Sequence, residues 1–540
     1  MKKILCFGAA WLLAASGNLF AQDHIFINEN PTSSGVNTTY PDTSTALFDV
    51  AAPGNYDLFR MDVLNELNTG NFDAVVRTVQ GDITVDWPLA WITSRNLTLD
   101  SGQSTIINNN IMSSSGGSVR LWADRDIIVN ADVFPVNQLD FKAKSVAINN
   151  NVVAFADISF SGLNGIITVA SGAKITTYSG ITLLDACVFV NTGVVEGNVW
   201  FLSPNDNWVE LHAGGFINGD LFIDGAGSTL ALSGNGTQLY SGAVSGVTAF
   251  SGTLVKQGAG TWILDTVLNM TKTFVRDGTL AGNIAANTDL AVAAGAIYDG
   301  TGAVRSVNAL NGAGSIINTN GLTVQNGAFG GVVSGAGGLG KTGAGTLTLT
   351  GNNTYTGLTE VREGALALSG AGTISPLLSL YGGTTFTGSP TNLTQLDVRG
   401  SAAWTGNLNM SGQSMNFYRP AGLANNGTML TVTGTAEIAD VTVALDPAGG
   451  ATLANGNKYT LITATALNTP AGVFPVSGTV GGFSYTVSVV GNTLVLNINA
   501  LASNHNIPTL GHLALLLLIA ILGMGAAFHP SVRSQMARNK

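Results

Sequence analysis

The chain has 540 residues, of which 45% are apolar, only 10% are charged and 69 are glycine, against 14 prolines. That apolar share is enough to build a core and excludes a disordered chain. With 22 basic against 32 acidic residues the net charge is −10, which excludes nucleic acid as a partner, because phosphate binding needs basic surface.

Residues 1–21 have the form of a secretory signal peptide. Lys2 and Lys3 supply the positive start, Ile4 to Ala15 the apolar stretch, and Leu19-Phe20-Ala21 a cleavage site before Gln22. Of the two cysteines, Cys6 leaves with that peptide and Cys187 sits in the apolar context LLDACVFV, so no disulfide framework is expected and Cys187 is an inert buried thiol. Residues 22–80 carry Pro31, Pro41 and Pro53, and Met61 to Asn68 has apolar residues at helical spacing with Gly70 as a stop. This segment is expected to cap one end of the fold.

From about residue 80 to 260 the apolar residue before each turn recurs at a steady period. Ile107, Val129, Ile148, Val169, Val190, Leu211, Leu232 and Leu254 are separated by 22, 19, 21, 21, 21, 21 and 22 residues. Such a period marks a solenoid, with one coil per repeat stacked at the strand spacing of about 4.8 Å. Asn108-Asn109-Asn110 and Asn149-Asn150-Asn151 fall two coils apart on one edge, where stacked amides can hydrogen-bond along the rod. Residues 330–368 break into alternating runs at Thr346 to Thr350, Leu358 to Val361 and Ala365 to Leu368, divided by Gly, Asn and Thr clusters.

Within that stretch Gly335 to Thr342 satisfies the phosphate-loop pattern G-x-x-x-x-G-K-[ST]. The pattern works only where a helix N-terminus follows the loop, and here GAGTLTLTG continues as a turn and a strand, so nucleotide binding is not expected. Histidines at 24, 212, 505, 512 and 529 are too scattered for a metal site, and His212 falls in a coil turn as a plain surface residue. Asp124-Arg125-Asp126 is the densest charge cluster and the best candidate for acid–base chemistry, although a solvated strand or turn is the simpler reading. Trp87, Trp91, Trp122, Trp200, Trp208 and Trp262 are expected mostly in the core or caps. No catalytic, cofactor-binding or metal-binding residue is assigned, and the chain is not expected to be an enzyme.

Residues 370–500 return to alternating strands with hairpin signals, at 456–467 and 483–498, and are similar to the segment that closes autotransporter passengers just before their membrane barrel, which implies a C-terminal cap for the rod. Leu510 to Phe528 is a stretch of 19 residues interrupted only by His512, long enough at about 1.5 Å per residue to cross a bilayer core. Arg533, Arg538 and Lys540 follow it, which would leave the end in the cytoplasm and the rod outside.

Three further resemblances accompany these readings. Lys341, Gly343, Gly345, Thr346, Leu347, Leu349, Gly351, Asn353, Tyr355, Gly357, Thr359, Val361, Gly364 and Leu366 fit the passenger-associated repeat of bacterial autotransporters. A weaker copy runs from Lys256, offset by 85 residues, and lacks the NNTYTG segment. This resemblance implies an all-β, right-handed parallel β-helix exported to the cell surface. Blocks between residues 60 and 131 are similar to filamentous-haemagglutinin-type adhesins near their first coils. Ile507-Pro508-Thr509-Leu510 resembles the IPTL-type C-terminal sorting signal that is presented to an exosortase, although Leu513-Ala514 stand where that family carries Trp-Gly.

The organisation that results is a signal peptide (1–21), an N-terminal cap (22–80) and a β-helix (81–370) with repeats near 246–282 and 330–369. Last coils with a C-terminal cap (371–500) and a sorting segment (501–540) with a transmembrane helix at 510–528 complete it. The expected function is that of an exported structural or adhesive rod, and the rival is a carbohydrate-active β-helix enzyme. Expected partners are an exosortase-like enzyme, the membrane through the C-terminal helix, and surface glycans or matrix.

Overall fold

The computed structural model describes residues 24–28, 36–39, 45–50, 55–68 and 73–501, apart from 163–164, 184–187, 203–205, 224–226, 241–243, 246–251, 269, 301–302, 420–422, 446–452 and 481. The signal peptide with the Ala21/Gln22 site, both cysteines, the sorting residues Ile507 to Leu510 and the apolar stretch 510–528 lie outside the described residues. Among the described residues no helix is long and apolar enough to cross a membrane.

Alternating apolar and polar residues form strands because successive side chains point to opposite faces. Between residues 73 and 232 the runs are three to five residues long and turns divide them, so the chain winds rather than folding back. Ile83–Val85, Leu89–Trp91 and Leu97–Ser101 take three successive faces, and Thr105–Ile107 then lands beside Ile83–Val85. The pairing is parallel, with Val85 opposite Ile107, and the same step repeats up the rod. The result is an all-β parallel solenoid of the right-handed type. Its inward residues stack on their counterparts one coil away. Val85, Ile107, Val129 and Ile148 are all fully buried in one such column. Phe141 and Phe160 stack inside with ring centroids 4.8 Å apart, one strand spacing.

Two positions of the apolar series are shifted. The coil that pairs with Val169 places Asn191 there, not Val190, and the coil that pairs with Leu232 places Lys256 there, not Leu254. Both residues are inward and fully buried although polar. A period traced through apolar residues alone therefore slipped to the nearest hydrophobic neighbour.

Beyond Leu232 the cross-section changes. One face ends at Phe216–Asn218 and another at Val244–Ser245, and a six-stranded face from Thr237–Tyr240 to Val332–Val333 takes over. Each coil then holds two strands. Lys256 pairs with Val275, and Val275 with Val292, so the coils become shorter.

The two ends of the rod are built differently. The helix Arg60–Asn68 buries Val63, Leu64 and Leu67, and Asn68 accepts a bond from the Ile92 backbone at 2.9 Å. Parallel stacking already involves His24–Asn28, which lies between Asn55–Phe59 and Ile83–Val85. At the other end Lys458–Asn468 pairs in parallel with Thr428–Ile438 and antiparallel with Thr493–Ala500. Phe483–Val490 and Val476–Val480 finish an antiparallel meander laid against the last parallel strand.

Candidate functional site

The two lysines that open the repeats carry the most distinctive chemistry in the interior. Each strand that precedes the turn, Thr253–Lys256 and Leu339–Lys341, ends on an inward lysine. The Lys256 ammonium donates to the carbonyls of Gln257, Gly258 and Asp277 at 3.1, 2.6 and 3.0 Å. Lys341 donates to Thr342, Gly343 and Glu363 at 2.7, 2.7 and 3.0 Å. In both, two acceptors lie in the lysine's own turn and the third lies one coil further on. Each ammonium thus closes its turn and ties it to the next coil. Burial pushes both lysines below their ordinary pKa, opposed by the nearby Asp277 and Glu363 carboxylates respectively. The tight turns that present these carbonyls depend on Gly258 and Gly343, at φ of 77° and 70°.

The remaining residues of the second repeat are likewise spent on the coil. Leu347, Leu349, Val361 and Leu366 are core. Gly351 passes so close to the coil below that a Cβ there would stand 1.8 Å from the Gly331 carbonyl oxygen. Asn353 is buried, accepts from the Val333 backbone at 2.8 Å and donates to the carbonyls of Gly351 and Thr373. The Tyr355 hydroxyl meets the Thr359 hydroxyl at 2.8 Å, and burial pushes its pKa up. The phosphate-loop match is dissolved by this geometry: Lys341 points inward, and the strand Thr346–Leu349 follows it, not a helix.

The outer edge carries an amide ladder. Asn149 donates to Asn130 at 2.8 Å, Asn130 to Asn108 at 2.9 Å, and Asn108 to the Asp86 carboxylate at 2.8 Å. The asparagine triplets do sit two coils apart on one edge, and every amide points the same way, toward the charged end. The same column continues through Ala170 and Thr192 to His212, Ser233 and Gln257, as the register of the preceding residues requires.

There the column meets a carboxylate. Glu210 accepts from Ser233 at 2.7 Å, from Gln257 at 3.1 Å and from Trp208 at 3.2 Å, and His212 Nε2 lies 3.0 Å away. Burial alone would raise Glu210, but these hydrogen bonds and the His212 charge outweigh it and hold its pKa at about 2. His212 is therefore not a plain surface residue. A serine, a histidine and a carboxylate meet here, yet the Ser233 hydroxyl donates to Glu210 and not to His212, so the imidazole does not face the hydroxyl and the carboxylate that does is a weak base. The sequence signal for this group was the column itself, once Gln257 replaces Val255 in the register.

Other candidates stay apart. Asp124 and Arg125 lie exposed in a turn before Asp126–Val129, where Arg125 reaches Gln103 at 3.3 Å and Asp126 bonds Ser145. Glu360 and Asp397 are each paired with an arginine of their own strand region, Arg362 at 2.8 Å and Arg399 at 3.2 Å. The tryptophans divide. Trp91 and Trp262 are buried, whereas Trp122, Trp200 and Trp208 stand half-buried on outer faces and Trp87 is exposed. Outward placement suits them because neighbouring coils cover their rings, as Phe222 covers Trp200 at 5.4 Å. Among the described residues no three His, Cys, Asp or Glu side chains gather as a metal site.

Comparison with known proteins agrees with this geometry. Residues 254–281 and 339–368 match the passenger-associated-transport-repeat family, and the two segments are those that the lysines open. A stretch of 39 residues is 64% identical to an extracellular serine protease of Serratia marcescens. That stretch covers 7% of this chain and 4% of the protease. No solved structure matches the chain.

Proposed function

We propose that this chain is an exported cell-surface rod with a structural or adhesive role, sorted or anchored through its C-terminal tail. One observation carries the reading. The family's motif positions are consumed in building and locking coils, through lysine ties, close glycine contacts and buried core residues, which leaves none of them for chemistry. A passenger-type repeat on a long parallel solenoid holds a regular surface away from the cell, and repeated shallow contacts along it give avidity. The IPTL-type segment at Ile507 to Leu510, the apolar stretch and the basic end supply the sorting route, with an exosortase-like enzyme as partner. The carbohydrate-active enzyme is the weaker reading, since the Glu360 carboxylate is half-buried, that of Asp397 is buried, and each is already paired with an arginine.

The test is the intact mass and cell fraction of the mature protein from its native cell. Loss of everything beyond about Leu510, with the rod in the surface or matrix fraction, supports the sorting route. An intact tail in the inner membrane overturns it.

A further inference from the structure

We propose that a cleft at the coil corners beside the second repeat binds an uncharged oligosaccharide. This rests on the exported-rod reading for its access to glycan. The cleft holds about 420 Å3 and is built by three successive corners. Asn352 and Asn353 form the first, Gly370 to Thr373 the second, and Ser389 to Asn392 the third. That volume lies at the small end of the ~300–1,000 Å3 range of ligand clefts, room for about one or two sugar rings.

Its lining selects a ligand class by what it offers. No lining residue carries a charge, so an anion or cation would be desolvated without a counter-charge. No aromatic or long aliphatic side chain lines it, so an apolar ligand would gain little. What remains are hydrogen-bonding groups of both kinds. Asn352 uses its carbonyl to accept from Thr373 at 3.0 Å and leaves its amide donors unbonded. Asn392 donates to the Ile374 carbonyl at 2.6 Å and leaves its own carbonyl oxygen as a free acceptor. Ser389 accepts from the Asn407 backbone at 2.9 Å and keeps its hydroxyl proton, and the Thr391 side chain, which is exposed, makes no hydrogen bond among the described residues. A hydroxyl both donates and accepts, so a polyol matches such a mixed set where a carboxylate or an ammonium would not.

The inner end of the first wall is tied into the fold before any ligand arrives. Asn353 is buried and bonded on both sides of its amide, to Val333, Gly351 and Thr373. Gly370, at φ 61°, makes the tight turn of the second corner, with open space where a side chain would stand. Rigid walls lower the ordering cost of binding. The first wall comes from the NNTYTG segment, which the repeat at Lys256 lacks, so the extra segment of the second copy is what creates the site. A shallow polar cleft binds weakly by itself, and many rods on one surface multiply the effect.

The experiment uses the intact protein purified from its native cell, with saturation-transfer NMR and calorimetry against a panel of neutral oligosaccharides and, in parallel, uronate oligosaccharides. The expected result is binding of a neutral member, indifferent to salt, and weakened at least tenfold by Thr391→Tyr, which fills the cleft from an exposed side chain that makes no hydrogen bond among the described residues. Asn392→Asp should weaken it as well, at some cost in stability because the donor to the Ile374 carbonyl is lost, whereas Thr391→Tyr should melt like the parent. Absence of binding to any neutral oligosaccharide, a salt-sensitive preference for the uronates, or binding unchanged in both variants overturns the proposal. Surface labelling of whole cells separates the two readings. A purified rod that binds sugar but is not exposed on cells refutes the exported rod and leaves the cleft standing, whereas an exposed rod that binds none refutes the cleft alone.

Discussion

Replacing Lys341 with Met isolates the tie between coils. The two side chains are similar in length, so Met retains the buried methylenes and removes only the ammonium. Three carbonyls, of Thr342, Gly343 and Glu363, then lose their donor at once. Hydrogen bonds to a charged group contribute about 1.5–3 kcal/mol each, so three give about 4.5–9 kcal/mol in gross terms. Removing a buried ammonium also relieves its desolvation, which burial has already made visible as a lowered pKa. A net loss of about 3–5 kcal/mol is the expectation, the range seen when one partner of a buried charged network is removed. Because each coil touches only its neighbours, the loss should appear as local opening and not as uniform destabilisation. Hydrogen exchange with peptide-level readout should show faster exchange across residues 339–368, with coils near Phe141 unchanged. A loss below about 1 kcal/mol in urea unfolding, with unaltered exchange at 339–368, would refute the reasoning that the lysine locks the coil.

Other expectations follow from the same geometry. Glu210 has its folded pKa depressed to about 2 from 4.5, so it adds stability above pH 4.5 that is lost as pH falls toward 2. The full effect is about 3 kcal/mol, and urea midpoints of Glu210→Gln should be flatter over that window than those of the parent. Gly351→Ala places a methyl against the Gly331 carbonyl and should cost several kcal/mol, on the order of the largest single-site losses, or prevent folding, as circular dichroism and expression yield would show. Ala170→Asn should extend the amide ladder beyond Asn149 and raise stability by about 0.5–1 kcal/mol in thermal melts, while Asn130→Ala should lower it by a similar amount.

Much of the fold could be read from residues alone, because a solenoid writes its period into the chain. The strands Thr346–Leu349, Thr359–Val361 and Ala365–Leu368 match their alternating runs, and the helix Arg60–Asn68 matches its spacing of Val63, Leu64 and Leu67. The register failed where the inward residue is polar, at Asn191 and Lys256. A buried lysine satisfied by backbone carbonyls leaves no hydrophobic mark, so apolar periodicity passed over it. The loss of one face after Leu232 also left no local sign, since two longer strands and three shorter ones alternate alike. The Glu210 group escaped notice because its members come from three coils, at 208–212, 233 and 257, and only the corrected register stacks them.

The central claim joins export to this fold, and lysine reactivity in whole cells tests both together. Lys142 and Lys174 are outward, with Lys142 over the Trp122 ring and Lys174 paired to Glu196 at 2.8 Å, whereas Lys256 and Lys341 are fully buried. Intact cells treated with a membrane-impermeant amine reagent should yield protein labelled at Lys142 and Lys174 and unlabelled at Lys256 and Lys341 until the rod is denatured. Labelling of none of them before lysis would contradict surface exposure. Labelling of Lys341 alongside Lys174 in the native protein would contradict the locked coil.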